Sequence, residues 1–454
     1  MTPSSTSTQP EPATSRLDKI LTDTDVGSVF VSNYPPYSFW NGEQVKAAEG
    51  VLQAPLPNGE ATDLGLYLHI PFCRKRCKFC YFRVYVDKNA DQIQQYLDAL
   101  VREIEIYAQQ PRIAGRPLKF IYFGGGTPSY ISARHLRGLV RRVQAVMPWD
   151  RAEEVAFECE PGTLTEAKVA AIADCDVTRL SLGVENLNDE ILSENGRAHL
   201  TKEVYRVWPW IRATDFAQVN VDLIAGMVGE TWDTWRDTVS RTIDLDADSI
   251  TIYQMELPFN TVYSKTISAG HRRELILADW QTKREWHAHA VEAFGAAGYE
   301  QTSAYTVVKR GRPASFVYRD ALWRGSDMIG SGVASFSHMG GVHYQNATSW
   351  EDYLGPLEQG SLPLGRALQT TAEQRLTREL ILQLKLGRLR PSYFTDKYSA
   401  DVLTEYASAW ETLKDEGMLT IHPDEVRLTP TGLLRVDQLL PLFYAPEFQH
   451  SRYT

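Results

Sequence analysis

Three of the chain's five cysteines fall within eight positions: Cys73, Cys77 and Cys80 in "CRKRCKFC". Thiolates are ligands for soft metal centres, and so tight a group is no disulfide framework. Structural zinc asks for four ligands, usually as paired Cys-x-x-Cys units. Here the spacing is Cys-x-x-x-Cys-x-x-Cys, and the nearby fourth candidate, His69, falls inside an apolar run. Cys159 and Cys175 stand far away, in segments where a free cysteine packs as a small apolar residue. A cubane 4Fe–4S cluster suits the triad better, because three thiolates hold three irons and leave the fourth open to an outside ligand. Arg74, Lys75, Arg76 and Lys78 either offset the anionic charge of such a centre or form a solvated basic loop.

A cluster on a short loop needs a rigid frame, and the flanking sequence supplies one. Short β-favouring runs recur as "LGLYLHI", "KFIYFGG", "EVAFECE", "TRLSLGVE", "QVNVDLIAG" and "DSITIYQME". Segments of helical period separate them, for example "ADQIQQYLDALVREIEIYAQQ" and "SARHLRGLVRRVQAVM". Strand and helix alternating six times predict parallel strands with crossover helices, an α/β fold in the form of a partial (β/α)6 barrel. Chemistry in such folds collects at the carboxyl ends of the strands. Those ends here carry the cysteines, then Gly124-Gly125-Gly126-Thr127, Glu158, Glu185, Asp222 with Ala225-Gly226, and Glu256. Polar residues at all six ends point to one site.

The chain has 454 residues, 43% hydrophobic, with a net charge of −10. That is ample for a large core, and it argues against nucleic acid as a partner. No run of about eighteen apolar residues predicts a membrane span. The polar start "MTPSSTSTQPEPATS" is no secretory signal, so the expected location is the cytoplasm. Residues 1–22 read as a disordered tail, and the aromatic, Pro-rich 23–60 as an N-terminal arm over the active site. The barrel is expected over 61–300, with an extension over 301–365 forming the substrate pocket wall. Residues 366–454 are expected to form a C-terminal α+β, winged-helix-like domain.

"YLHIPFCRKRCKFC", "YFGGGTPS", "RLSLGVENLNDEIL" and "VNVDLIAGMVGET" together resemble the radical S-adenosylmethionine superfamily, in its oxygen-independent coproporphyrinogen III oxidase-like branch. The resemblance implies that Cys73, Cys77 and Cys80 bind the cluster and that its open iron takes S-adenosylmethionine. It also implies that Tyr67, Gly124, Gly125, Gly126, Thr127, Glu158, Glu185, Arg197, Asp222, Ala225 and Gly226 bind that cofactor. Glu185 departs from the family, which often has Gln there; Glu brings a charge and cannot donate.

The oxidases continue their cysteine motif with a further cysteine and an asparagine. This chain has Tyr81-Phe82-Arg83 instead. That difference leads to an expected C1 transfer, as in the class C radical methyltransferases and cyclopropanases. Two S-adenosylmethionines would then bind, and an sp2 carbon of a conjugated small-molecule substrate would be modified. The alternatives are propionate decarboxylation by a coproporphyrinogen III oxidase and a haem-chaperone role. Tyr305 and His338 are the candidate catalytic residues, as proton relays. Arg319 and Arg324 are candidates to meet a carboxylated substrate. A flavodoxin or ferredoxin is the expected reductant, and the chain is expected to act as a monomer away from membranes.

Overall fold

The structure is a computed structural model that describes residues 26–57, 59, 62–449 and 451. The tail expected over 1–22 lies outside the described residues. Six parallel strands form the frame: β1 (Leu64–Ile70), β2 (Leu118–Gly125), β3 (Glu154–Cys159), β4 (Arg179–Glu185), β5 (Gln218–Ala225) and β6 (Ser249–Gln254). They pair in chain order, β1 to β6. Both faces of β1 are covered, which is why "LGLYLHI" reads as a continuous apolar run rather than an alternating one.

The crossover helices form where caps and apolar stripes demand them. Helix Ala90–Ala108 starts at a capping box, with Asn89 and Gln92 satisfying each other's backbone N–H groups at 2.9 and 3.1 Å. Its stripe of Ile93, Leu97, Leu100, Val101 and Ile104 is buried against the sheet. Glu103 on the same helix is fully buried and accepts from Gly332 N–H (2.8 Å), Asn346 (2.6 Å) and Tyr353 (2.7 Å).

The sheet does not close into a barrel. It has twelve strands, with β7 (Tyr299–Gln301) and β8 (Thr306–Lys309) beyond β6. β9 (Asp327–Ser331) lies parallel to β1 on the other side, followed by the antiparallel β10 (Phe336–Met339), β11 (Val342–Asn346) and β12 (Leu364–Gln369). The segment after residue 300 is therefore divided between both edges of the sheet. Between β8 and β9 the chain crosses the concave face. There Tyr318 stacks on Tyr122 at 4.2 Å, and Ala321 and Met328 pack with Phe120.

The C-terminal domain has its own core, built on helix Ala372–Leu384 and a three-stranded sheet of β13 (Arg388–Leu389), β14 (Leu419–Ile421) and β15 (Val426–Leu428). Val31 and Tyr34 of the arm are part of that core. A buried ion pair, Lys385–Asp437 at 2.7 Å, ties arm to domain, since Val31 N–H also donates to Asp437 at 2.8 Å. Among the described residues no helix is long and apolar enough to cross a membrane.

Candidate functional site

The carboxyl end of β1 runs through Pro71 and Phe72 into the cysteine loop. Two close backbone bonds hold that exit: Gly126 N–H to Ile70 O (2.9 Å) and Tyr85 N–H to Pro71 O (2.7 Å). Cys73, Cys77 and Cys80 are free, half-buried thiols on the wall of one cavity of about 1180 Å3. Burial, with a smaller push from neighbouring thiols, raises the Cys73 thiol to about 12 and the Cys80 thiol to about 11. Thr127 Oγ1 lies 3.3 Å from Cys73 Sγ, and an Arg197 N–H donates to Cys77 Sγ at 3.4 Å. Among the described residues no three His, Cys, Asp or Glu side chains converge on a single metal ion. Three thiols on one short loop, with a cation beside them and no fourth donor among the described residues, suit a cubane and not a tetrahedral zinc.

Three basic residues of the loop are engaged by groups other than the sulfurs. Arg74 faces Glu160 at 3.9 Å, Lys78 pairs with Glu194 at 3.0 Å, and Arg76 donates to Cys80 O at 3.2 Å. They brace the loop, and Arg197 supplies the cation at the sulfur.

Three strand-end carboxyls converge on the same cavity. Glu158 accepts from Tyr122 (2.6 Å) and from Gly125 N–H (3.2 Å), and burial pushes its carboxyl up to about 7. Glu185 is likewise pushed up to about 7 by burial, against the pull of Arg197 at 3.5 Å. Asp222 is raised by burial, though Ser181 (2.7 Å) and Asn220 (2.9 Å) donate to it. Glu185 has φ +65°, a left-handed conformation rare for a residue with a side chain. The β4–β5 register shifts at that point, between Gly183 and Glu185. Arg197 donates to Gly183 O at 2.7 Å, so one guanidinium bridges the thiol loop and the end of β4.

Tyr67, Gly125, Gly126, Thr127, Glu158, Glu185, Arg197 and Asp222 all line the cavity, but Gly124, Ala225 and Gly226 do not. A side chain at Gly124 would come within 2.9 Å of the Tyr67 hydroxyl and 2.8 Å of the Tyr122 ring, so this glycine makes room for two tyrosines. Ala225 is fully buried; Gly226, at φ +93°, donates its N–H to Glu230 and faces Lys283. Ala225 ends β5, and Gly226 opens the turn behind it. Tyr305 and His338 reach the wall with the Tyr305 hydroxyl and His338 Nδ1 already engaged. Tyr305 donates to Asp437, and burial holds its phenol well above the ordinary range. His338 Nδ1 lies 2.9 Å from His343 Nδ1, and burial holds both imidazoles neutral. Arg319 pairs with Asp320 at 2.8 Å and Arg324 donates to Asp320 O at 3.2 Å; neither lines the cavity.

Other wall residues carry no motif. Ser28, Phe30, Asn33, Tyr37 and Trp40 of the arm are among them, with Ser28, Val29 and Phe30 all donating to Glu256 at the end of β6. Arg366 on β12 and Arg378 and Arg435 in the C-terminal domain are others. Tyr122 was open to inference, because alternation along β2 puts it on the same face as Gly124. The arginines left no such signal, since helices and strands commonly carry arginine on their solvent faces.

Residues 67–242 match the Radical SAM superfamily. The heme chaperone HemW of Bacillus subtilis is 26% identical over 381 residues, 83% of this chain and 98% of its own length. The oxygen-independent coproporphyrinogen III oxidase of Synechocystis is 24% identical over 433 residues, 91% of each chain. That of Pseudomonas aeruginosa is 26% identical over 410 residues, 86% of this chain and 88% of its own. The solved structure of Escherichia coli coproporphyrinogen III oxidase (HemN), a radical SAM enzyme, shares the fold with a TM-score of 0.77. It is 22% identical, covering 91% of this chain and 96% of that one. These relatives overturn the expected C1 transfer and, with it, the assignment as a transferase or cyclopropanase. Tyr81-Phe82 in place of a further cysteine is a local difference, whereas the likeness to oxidases and chaperones runs the length of the chain.

Proposed function

We propose that this radical SAM chain, with a 4Fe–4S cluster and S-adenosylmethionine, is a porphyrinogen oxidase of the coproporphyrinogen III oxidase type, removing propionate carboxyls as carbon dioxide. The observation that carries the reading is the cavity. One space of about 1180 Å3 joins the thiol triad to an aromatic wall and to arginines from the C-terminal domain. That exceeds the range of roughly 300–1,000 Å3 usual for small-molecule pockets and suits a macrocycle together with a cofactor.

Cys73, Cys77 and Cys80 would hold the cluster, and Tyr67, Gly125, Gly126, Thr127, Glu158, Glu185, Arg197 and Asp222 would hold the S-adenosylmethionine. Together the two groups supply a radical able to take a hydrogen atom from an unactivated carbon. The chain's own residues position the reactants and keep water out. Arg197 keeps a cation at Cys77, the three carboxyls receive the cofactor's cationic and hydroxyl groups, and the arm closes the cavity with Tyr37 and Trp40. The volume beyond one S-adenosylmethionine is assigned to substrate, not to a second copy.

The test is an anaerobic assay of the reconstituted protein with dithionite, S-adenosylmethionine and coproporphyrinogen III. The expected result is one carbon dioxide and one 5′-deoxyadenosine per propionate lost, with methionine and no S-adenosylhomocysteine. S-adenosylhomocysteine, or cofactor cleavage without carbon dioxide, would overturn it. Tight haem binding without cofactor turnover would instead support the chaperone reading, which the relative from B. subtilis also offers.

A pH dependence follows from the carboxyls. Glu158 and Glu185 hold their protons up to about 7 in the folded protein, and a cation bound against them favours ionisation. Binding of S-adenosylmethionine must then release a proton below that pH. Its affinity is expected to rise about tenfold from about pH 6 to about pH 8, and Glu158→Gln to flatten the profile. Calorimetric titration in buffers of different ionisation enthalpy reads both; a flat wild-type profile would remove these carboxyls from the cofactor's cationic groups.

A further inference from the structure

We infer that Arg366 and Arg378 form a carboxylate-docking subsite, which holds a substrate carboxyl other than the one that reacts. The inference rests on the porphyrinogen reading and names the part of the wall that selects a polycarboxylate. Arg378 is only 5% exposed, on a stretch of helix Ala372–Leu384 that is buried on every side. A buried guanidinium is costly unless an anion answers it. Its partners here are neutral: Nε donates to Asn33 Oδ1 at 2.6 Å and Nη1 to Leu322 O at 3.0 Å. The adjacent Glu379 offsets only part of the cost of burial and makes no hydrogen bond to Arg378, since its carboxylate is taken by Lys397 at 2.8 Å and by the hydroxyls of Tyr393 and Tyr398.

Arg366 repeats the arrangement. Its Nε donates to Gln345 Oε1 at 2.6 Å and its Nη1 to Tyr37 O at 2.9 Å, and its guanidinium lies 5.9 Å from the Trp40 ring. Among the described residues no carboxylate pairs with either arginine, and both line the cavity. Their partners Asn33 and Tyr37 lie four residues apart on the arm, so the two arginines approach the same part of the wall. That wall is short of acceptors, for Asn33 Nδ2 and Trp40 Nε1 are buried donors with no partner. Each guanidinium has Nε and Nη1 engaged and keeps Nη2 for the cavity, and two such charged donors suit a carboxylate, which has two oxygens to offer.

Position separates this subsite from the reaction. The order β12-β11-β10-β9-β1 puts Arg366 four strands from the strand that launches the thiols, roughly 19 Å at the usual strand spacing. A carboxyl held there belongs to a ligand large enough to span the cavity.

Coproporphyrin III, the stable oxidised tetracarboxylate, and its tetramethyl ester are the probes, titrated by absorbance into the reconstituted protein. The wild type is expected to prefer the acid. Arg366→Gln and Arg378→Gln should each weaken the acid about 10- to 100-fold, leave the ester unchanged and keep the iron content, as charge-assisted bonds of this kind imply. Arg378→Lys, which keeps the charge without the fork, should lose less. Equal losses for acid and ester would mean that the arginines only pack, and an undiminished acid preference would mean that the subsite lies elsewhere; either result overturns the inference while the porphyrinogen reading stands. A wild-type protein that ignores both probes overturns that reading, and the subsite with it.

Discussion

Alanine at Cys73, Cys77 or Cys80 is expected to give a colourless protein that no longer cleaves S-adenosylmethionine. The three thiols share one wall of the cavity, so each is part of a single donor set. Losing a group that merely orients a metal ligand typically costs about 10–100-fold, and losing a ligand costs more, so activity should fall by well over about a hundredfold. The controls lie in the same chain. Cys159 and Cys175 are buried in the main apolar core. Cys159→Ala and Cys175→Ala should therefore keep the iron and lower stability by only about 1–2 kcal/mol. Iron and sulfide content, the visible spectrum and thermal melting read all five variants. Full iron in a Cys77→Ala protein would end the cluster assignment.

Gly126→Ala is expected to be nearly as damaging without touching a ligand. An added Cβ would sit 2.8 Å from Pro71 C, 2.9 Å from Ile70 O and 3.0 Å from Phe72 N, all backbone atoms with nowhere to turn. Relief requires the end of β1 to move, and Cys73 follows immediately. Forced overlap in a packed interior costs about 1–3 kcal/mol, more where backbone must shift. The iron content should fall together with the melting temperature. Gly138→Ala makes the opposite case. That glycine lies within helix Ala133–Val146 with open space around its Cβ, and alanine there should stabilise by about 0.5–1 kcal/mol. If Gly126→Ala melted and bound iron like the wild type, the tight exit from β1 would not be what holds the loop.

The reaction class shows where motif reading failed. Tyr81 and Phe82, where the oxidases carry a further cysteine, stack on each other at 4.5 Å on the cavity wall. Their identity speaks to what is bound beside the thiols and says little about the bond that breaks. Whole-chain likeness weighs more, because it samples every wall of the cavity and not one loop.

The six frame strands were legible because each is a run of mostly buried apolar residues, so that run and the polar residue ending it stand out against the helices. β1 covers Leu64–Ile70, which is "LGLYLHI" itself. The cysteine triad was legible because its ligands are close in sequence. The destination of residues 301–365 was not. β8 and β9 are separated by a short crossing segment yet lie at opposite sides of the six-stranded frame, and which edge a strand joins depends on hydrogen-bond partners that no local period reports. The acceptor-poor wall of Arg366 and Arg378 was equally hidden. Either arginine alone reads as a surface residue, and only the packing of the arm against the C-terminal domain buries the guanidinium of one, half-covers the other and leaves both without an anion. What the sequence determined by itself was the local chemistry, three thiolates at the end of a parallel strand. What tertiary structure decided was the far wall, because it is built from segments hundreds of residues apart that meet only when the whole chain is folded.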